Sequence, residues 1–189
     1  MALFTTDCTI KHFPDWQEWL APLAGLPNIY GLEIGSFEGR SALWYLENIL
    51  NHPTSHLTCV DQRILPLLRN NLAFHLERGQ VTLLEGLSFF VLCGLHKSPE
   101  SVQYDFVYVD GGHTSANALS DCVLCFPLLK LGGIMIIDDY EWTDMPTEMQ
   151  LPKTGINAFM QAFAGRFDLI YTGYQICIRK TADIEYTNW

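Results

Sequence analysis

Short apolar runs alternate with longer segments of helical periodicity along most of the chain. The apolar runs have the length and composition of buried strands, and they cover residues 29–34, 57–60, 81–84, 104–109 and 134–137. Most of the intervening segments carry apolar residues three and four positions apart, as helices packed on a sheet do. One of them, residues 64–78, predicts a single helix that ends at Gly79, and the segment KLGG (130–133) is expected to end the helix before the fifth strand. Repeated strand–helix alternation predicts an α/β fold with a doubly wound parallel sheet.

The two ends of the chain depart from this alternation. Residues 13–25 form an amphipathic helical pattern in which Trp16 and Trp19 either pack in the core or cover a pocket. Near the other end, residues 155–164 are helical by period. The segment 167–180 then has the pattern of two strands joined by a tight turn, which predicts an antiparallel hairpin.

The chain shows no repeat, linker or low-complexity segment, so we expect one domain over residues 1–189. Within it, residues 1–27 would be an N-terminal helical extension and residues 28–180 the core. The loop 141–153 is long for a compact domain, and loops of this length are often functional lids.

Composition narrows the possible functions. The net charge of −10 argues against nucleic-acid partners, because phosphate binding needs clustered Lys and Arg. No apolar run approaches the roughly 20 residues of a membrane span, and the N-terminus lacks a signal-peptide pattern. The six cysteines lie mostly in apolar patterns, which indicates buried free thiols and a reducing, cytoplasmic location.

The stretch 30–40, YGLEIGSFEGR, predicts a strand, a glycine-containing turn and a helix N-terminus. Phe37 stands where a dinucleotide-binding turn has its second glycine. Glu33 places a carboxylate at the strand end, where it would repel a pyrophosphate and attract an ammonium group. The turn therefore favours a cofactor with a cationic amino-acid tail, although a βα turn with purely structural glycines has a similar pattern.

Acidic residues follow the predicted strands at the edge where such sheets bind ligands. Asp61, after the second strand, would bind ribose hydroxyls or cap the next helix, or do both. Asp110 follows the fourth strand, and Asp138 and Asp139 follow the fifth, so their carboxylates would converge on a hard cation such as Mg²⁺. The alternative is that these acids cap a turn and bind backbone amides.

Four segments together resemble one enzyme family: EIGSFEGRSALW (33–44), CVD (59–61), YVDGGH (108–113) and LKLGGIMIIDDY (129–140). They are similar to class I S-adenosylmethionine (SAM)-dependent methyltransferases of the methyltransferase-24 type. That group includes sugar O-methyltransferases of antibiotic tailoring and relatives of cephalosporin-biosynthesis enzymes. The resemblance runs from about residue 29 to residue 180. It implies a Rossmann-like, seven-stranded sheet of order 3-2-1-4-5-7-6 with a C-terminal antiparallel hairpin.

The resemblance also implies site residues. Those expected to contact SAM are Glu33, Gly35, Ser36, Phe37 and Gly39 on the methionine side, Asp61 at the ribose, Gly86, Leu87 and Ser88 at the adenine, and Asp110. Those expected to bind Mg²⁺ are Asp110, Asp138 and Asp139.

Two positions depart from the family pattern. Sugar-modifying relatives often carry a second acid, available as general base, where this chain has Gly112. His113 beside it could take that role, because an imidazole titrates near neutrality, or it could cap the next helix or bond a backbone carbonyl. Leu87 stands where relatives often place an acid toward the adenine amine.

The resulting hypothesis is a Mg²⁺-assisted O-methyltransferase for a small hydroxylated molecule, a sugar or a phenol. Asp110 and His113 would be the catalytic residues, and Trp142, Met145 and the helix with Trp16 and Trp19 would wall the acceptor pocket. The alternative is a SAM-binding or partner-binding module without transfer activity. No nucleic-acid or membrane partner is expected, and homo-oligomerisation is left open.

Overall fold

The computed structural model describes residues 2–97 and 102–184. One seven-stranded sheet of order β3-β2-β1-β4-β5-β7-β6 runs through it, which confirms the expected fold class. Its strands are β1 (Tyr30–Ile34), β2 (His56–Asp61), β3 (Val81–Glu85), β4 (Tyr104–Val109), β5 (Leu129–Ile137), β6 (Phe167–Thr172) and β7 (Ile176–Lys180). The first five are parallel to one another, and β7 lies antiparallel between β5 and β6.

Helices cover both faces of the sheet. They are α1 (Phe13–Leu20), α2 (Arg40–Asn48), α3 (Pro66–Asn71), α4 (Ala73–Glu77), α5 (Ser88–Lys97), α6 (Ser115–Cys125) and α7 (Pro152–Ala162). The central strand β4 illustrates why the fold is layered in this way. Phe106 and Tyr108 belong to the core on one face, while Val107 and Val109 belong to the core on the other. A strand buried on both faces is apolar at nearly every position, as this one is.

Two elements differ from the sequence-based expectation. The single helix expected over residues 64–78 is two helices, because Leu72 leaves helical geometry with φ −98° and ψ 6°. Strand β5 begins at Leu129 rather than at Ile134. Leu129 pairs with Tyr104 on β4, and a register shift follows that pairing, so the strand accommodates two glycines that looked like a helix terminator.

The N-terminal helix packs in the core. Trp16 is fully buried, and its indole N–H donates to Gln175 Oε1 at 2.8 Å. Trp19 is almost as buried and packs against Tyr171 of strand β6. The interpretation that these two tryptophans cover a pocket is therefore wrong. Their role is to fix α1 against the sheet.

The structure also bears on the expectations of buried free thiols and of no membrane-spanning segment. All six cysteines are free, and Cys122 and Cys125 of the C-x-x-C pair are fully buried in α6. Burial raises the pKa of both thiols, so they are unreactive packing groups. Within residues 2–97 and 102–184, each helix is too short or too polar to cross a bilayer.

Candidate active site at the carboxyl ends of the strands

Two cavities open at the carboxyl ends of the parallel strands, on either side of the turn that follows β1. The main cavity has a volume of about 470 Å³ and is bounded by that turn, by the turns after β4 and β5, and by residues 6–12. The second cavity, of about 140 Å³, lies between the β1 turn and the turn after β3. Gly35, Asp61, Gln62 and Gly111 line both cavities, which makes them two parts of one cleft.

Gly35 sets the geometry of the cleft because the turns after β1 and β4 touch at this residue. Its φ is +87°, and a Cβ atom there would lie 1.8 Å from the carbonyl oxygen of Asp110. No side chain fits in that space. The close approach brings the glycine turn next to the residues that follow β4.

Asp61 holds the glycine turn in place from the end of β2. Its Oδ2 accepts hydrogen bonds from the backbone N–H groups of Ser36 at 3.0 Å and Phe37 at 2.8 Å. Phe37 has a φ of +46°, a conformation that these bonds help to maintain. The Oδ1 atom accepts from the N–H of Arg63 at 3.0 Å. The expectation that Asp61 caps the next helix is wrong, because α3 begins only at Pro66.

Glu33 lies beneath the cleft rather than on its wall. It is fully buried, and its two oxygens accept hydrogen bonds from the Ser36 hydroxyl at 2.5 Å and the Ser41 hydroxyl at 2.6 Å. Burial raises the pKa of Glu33 from 4.5 to about 7, although the two serine hydroxyls act in the opposite direction. Ser36 and Ser41 line the main cavity, so in this structure Glu33 acts on the cleft through them.

The turn after β3 brings together the three residues expected at the adenine. Gly86 (φ +152°), Leu87 and Ser88 all line the second cavity, and Leu87 is 58% exposed. Ser88 opens α5, and its hydroxyl donates to Asp121 Oδ1 at 2.6 Å. Its side chain is therefore directed into the protein, and Leu87 leaves the outer rim of this cavity apolar.

Asp110, Asp138 and Asp139 form an acidic cluster at the ends of β4 and β5. The Tyr108 hydroxyl lies within hydrogen-bonding distance of Oδ2 of both Asp110 and Asp138. The other Asp138 oxygen accepts from the backbone N–H of Asp139 at 2.8 Å. Burial, together with the neighbouring carboxylates, raises the pKa of Asp110 well above its usual range, and burial raises that of Asp138.

His113 joins this cluster. Its Nδ1 lies 2.5 Å from Asp139 Oδ2, while Asp139 Oδ1 accepts from the Tyr174 hydroxyl at 3.1 Å. The imidazole packs edge-on against the Trp142 ring, with 4.3 Å between centroids. The residue that caps α6 is Thr114, whose hydroxyl accepts from the N–H of Asn117, so His113 does not serve as the cap.

The position expected to carry a second acid is closed by packing. A Cβ atom on Gly112 would lie 2.8 Å from the Asn117 side chain, which borders the second cavity. A side chain at position 112 would therefore displace Asn117. His113 is the nearest titratable residue on the same turn.

Sequence reasoning missed the wall opposite His113. Lys11 and His12 line the main cavity, and His12 lies between the rings of Trp16 and Tyr174, with centroid distances of 6.1 and 5.7 Å. Burial lowers the pKa of His12. The Lys11 amine lies 4.1 Å from the centre of the Tyr174 ring. No local sequence motif predicts that Lys11 and His12 line the cavity, because they reach it only when α1 and the C-terminal hairpin pack together.

The N-terminal segment (residues 2–9) closes one side of the main cavity. The N–H and hydroxyl of Thr5 donate to the two Glu38 oxygens, each at 2.7 Å. Arg40 forms a 3.0 Å ion pair with Asp7. Thr6, Cys8 and Thr9 of this segment line the cavity as a result.

The acidic cluster has a donor set that fits a divalent cation. Asp110, His113 and Asp139 each offer one ligand atom, and these atoms lie within 4.8 Å of one another. Two carboxylates beside a cavity with room for waters suit a hard ion such as Mg²⁺. The sequence grouped Asp138 with these acids, and it lines the same cavity, but it is not one of the three residues whose ligand atoms come together.

Solved structures share this architecture. The O-methyltransferase TomG from Streptomyces achromogenes, involved in tomaymycin synthesis and solved with SAM, has a TM-score of 0.71 at 19% identity, over 94% of this chain and 82% of that one. An O-methyltransferase from Bacillus cereus, solved with S-adenosylhomocysteine (SAH), has a TM-score of 0.71 at 17% identity, over 94% and 84%. MycE of the mycinamycin pathway, in complex with Mg, SAH and mycinamycin VI, has a TM-score of 0.62 at 14% identity, over 99% and 54%.

The sequence itself assigns the family. None of the curated proteins matches this chain. The family model Methyltransf_24, described as a methyltransferase domain, matches residues 32–140, which is more than half of the chain. This span contains the glycine turn, Asp61, the adenine-side turn and the acidic cluster. The chain therefore belongs to the methyltransferase-24 family and is a SAM-dependent methyltransferase.

Proposed function

We propose that this protein transfers the methyl group of SAM to a hydroxyl of a small molecule, with assistance from Mg²⁺. The observation that carries the proposal is the position of the acidic cluster. Asp110 and Asp139 line the same cavity as the glycine turn, so a cofactor on the turn and an acceptor at the cluster would be neighbours. Proximity of this kind supplies much of the rate enhancement when a methyl group is already activated.

The cleft offers a separate place for each part of the cofactor. The methionine portion would lie along the glycine turn beside Ser36 and Ser41, and the adenine would lie in the second cavity. Asp61 borders both cavities and accepts three N–H groups. A carboxylate has about four acceptor sites, so capacity remains for a ribose hydroxyl. Bound SAM supplies a sulfonium methyl, and the chain supplies alignment.

His113 is suited to take the acceptor proton. Asp139 bonds its Nδ1, and this contact favours the tautomer in which Nδ1 carries the proton and Nε2 is free to accept one. Asp110 and Asp139 would hold Mg²⁺, which lowers the pKa of a nearby hydroxyl when it is bound. His113 would then receive the proton at Nε2, while Trp142 keeps the imidazole in position.

The acceptor would be a small ring compound. Trp142 and Tyr174 are two aromatic walls of the main cavity, and a sugar or a phenol packs well on such surfaces. Support comes from MycE, which has a similar fold and was solved with Mg, SAH and mycinamycin VI.

Two further features concern the whole protein. The free, largely buried thiols support a cytoplasmic location. The N-terminal segment lines the main cavity, which supports a single domain over the whole chain.

The test is calorimetric titration with SAH, followed by methyl-transfer assays on a panel of catechols and sugars with Mg²⁺ or EDTA. We expect micromolar SAH binding, turnover that requires Mg²⁺, and a loss of about 100-fold or more in kcat for His113→Gln with SAH affinity retained. SAH binding without turnover on any acceptor would favour the non-catalytic module. Binding of NAD but not SAH would refute the proposal.

A further inference from the structure

Asp121 is a buried carboxylate that the proposed reaction leaves without a role. It lies on α6 with no exposed surface, and its Oδ1 accepts the 2.6 Å hydrogen bond from Ser88. Its Oδ2 is buried and makes no hydrogen bond to any residue that the structure describes. A buried carboxylate oxygen without a protein donor is destabilising unless a water or a ligand reaches it, so the surroundings of Oδ2 are informative.

This carboxylate lies between two turns of the cleft. Its Oδ2 is 2.7 Å from the point that a Cβ atom on Gly111 would occupy, so Asp121 contacts the backbone directly after Asp110. Ser88 and Gly111 both line the second cavity. Asp121 therefore contacts the adenine-side turn with one oxygen and the turn of the acidic cluster with the other.

A small cavity lies beside Asp121. It has a volume of about 10 Å³, and Asp110, Gly112, Asp121 and Asp138 are among the residues that line it. That is about the space of one water molecule, which would satisfy Oδ2. Burial raises the pKa of Asp121 to about 6, so the carboxylate is mostly ionised at neutral pH and is an acceptor.

We propose that Asp121 is a positioning residue that links the adenine-side turn to the acidic cluster, through Ser88 on one side and Gly111 on the other. The inference rests on the proposed function and deepens it. When adenine fills the second cavity, Ser88 and Asp121 are held in place, and the turn that carries Asp110 is held with them. Cofactor binding and cation binding then favour each other, and by linkage the factor is the same in both directions.

The experiment measures that factor directly. SAH is titrated into the full chain with and without saturating Mg²⁺, and the ratio of the two Kd values is the coupling factor. We expect about tenfold for the wild type, within the usual range of coupling between sites. Asp121→Asn keeps the shape and an oxygen for Ser88, but it replaces the oxygen beneath Gly111. Ser88→Ala removes the other contact.

Each substitution should lower the coupling factor to about one, and the double substitution should lower it no further, because both break the same link. Ser120→Ala, on the same helix and outside both cavities, should keep the wild-type factor. Thermal unfolding of each variant reports whether it is folded, since a purely structural role would change stability and leave the ratio of the two Kd values unchanged.

The outcomes separate the two proposals. Absence of SAH binding by the wild type would refute the proposed function. SAH binding with a wild-type factor of one, or with a factor that Asp121→Asn and Ser88→Ala leave intact, would overturn the role of Asp121 alone. Loss of the factor in both variants and its retention in Ser120→Ala would establish the link.

Discussion

The cleft contains two sets of acidic residues at the same edge of the sheet, and they differ in what satisfies them. Glu33 and Asp61, after β1 and β2, accept hydrogen bonds from two serine hydroxyls and three backbone N–H groups. In the acidic cluster after β4 and β5, the side-chain donors are Tyr108, His113 and Tyr174. The first set is held by donors of the glycine turn and of the segments beside it, whereas the acids of the second set keep acceptor capacity towards the main cavity.

Because of this difference, carboxylates at the same edge of the sheet have different roles. Glu33 and Asp61 fix the shape of the glycine turn, since their donors belong to that turn or to the start of α2 and the segment after β2. Asp110 and Asp139 repel each other and Asp138, and a cation would remove that repulsion. A carboxylate at a strand end is therefore structural or ligand-binding according to which protein donors reach it and whether it faces the cavity.

The largest effect is expected at Gly35, where the turns after β1 and β4 touch. Gly35→Ala would place a Cβ atom 1.8 Å from the Asp110 carbonyl, so we expect the free energy of unfolding to fall by more than about 3 kcal/mol. Urea denaturation measures it. The matched control is Gly79→Ala, which has φ +68° and open space around it and should lose only about 1–2 kcal/mol. Equal losses in the two variants would refute the close approach.

The next effect concerns Glu33, the fully buried acid of the first set, whose contribution to stability depends on pH. The folded state keeps the Glu33 proton up to about pH 7, whereas the unfolded chain releases it near 4.5. Stability should therefore fall as pH rises between these values. Glu33→Gln should remove about 2–3 kcal/mol of this decline between about pH 5 and pH 8. The measurement is the urea midpoint of the wild type and of Glu33→Gln across this pH range. Parallel pH profiles of the two proteins would contradict the prediction.

A smaller effect is expected in the acidic cluster, where a substitution should raise the free energy of unfolding rather than lower it. Asp110→Asn removes a carboxylate that burial and its acidic neighbours destabilise, and it keeps an oxygen for Tyr108, so it should stabilise the metal-free protein by about 1 kcal/mol. The same substitution should abolish Mg²⁺ binding. Unfolding and calorimetry on one preparation test both effects. A variant that is destabilised and still binds Mg²⁺ would place Asp110 with Glu33 and Asp61 instead.

The smallest effect concerns an acid at the rim of the cleft. Asp7 pairs with Arg40 at 3.0 Å, and both side chains are partly exposed. Exposed ion pairs contribute little, so Asp7→Asn should change the free energy of unfolding by less than about 0.5 kcal/mol and leave Mg²⁺ binding intact. A larger loss in urea denaturation would show that the N-terminal segment is held by this pair.

The sequence predicts the sheet well because each strand and helix carries its own periodic signal. The expectation of one helix over residues 64–78 was wrong because the break at Leu72 leaves the apolar spacing unchanged. Among the site residues, Gly35, Asp61 and the acidic cluster meet at one edge, as strand ends must. Strand position alone does not show how an acid is satisfied. Glu33 was expected to contact SAM, and it is fully buried beneath the glycine turn.

Other site residues were beyond the reach of the sequence. His12 and Lys11 come from a segment before the first strand, and they reach the cavity only through packing against Trp16 and Tyr174. The contact of Asp121 with Gly111 likewise joins residues on different elements. Such contacts depend on how elements pack in three dimensions, which no local pattern encodes.

The most direct test of the division between the two sets is Mg²⁺ titration calorimetry on the wild type, Asp139→Asn and Glu33→Gln. At pH 8, above the pKa of Glu33, each substitution removes one carboxylate charge from the same edge of the sheet, so their general electrostatic effects are matched. We predict Mg²⁺ binding by the wild type and Glu33→Gln and its loss in Asp139→Asn. Binding that survives in Asp139→Asn, or that is lost equally in both variants, would contradict the account.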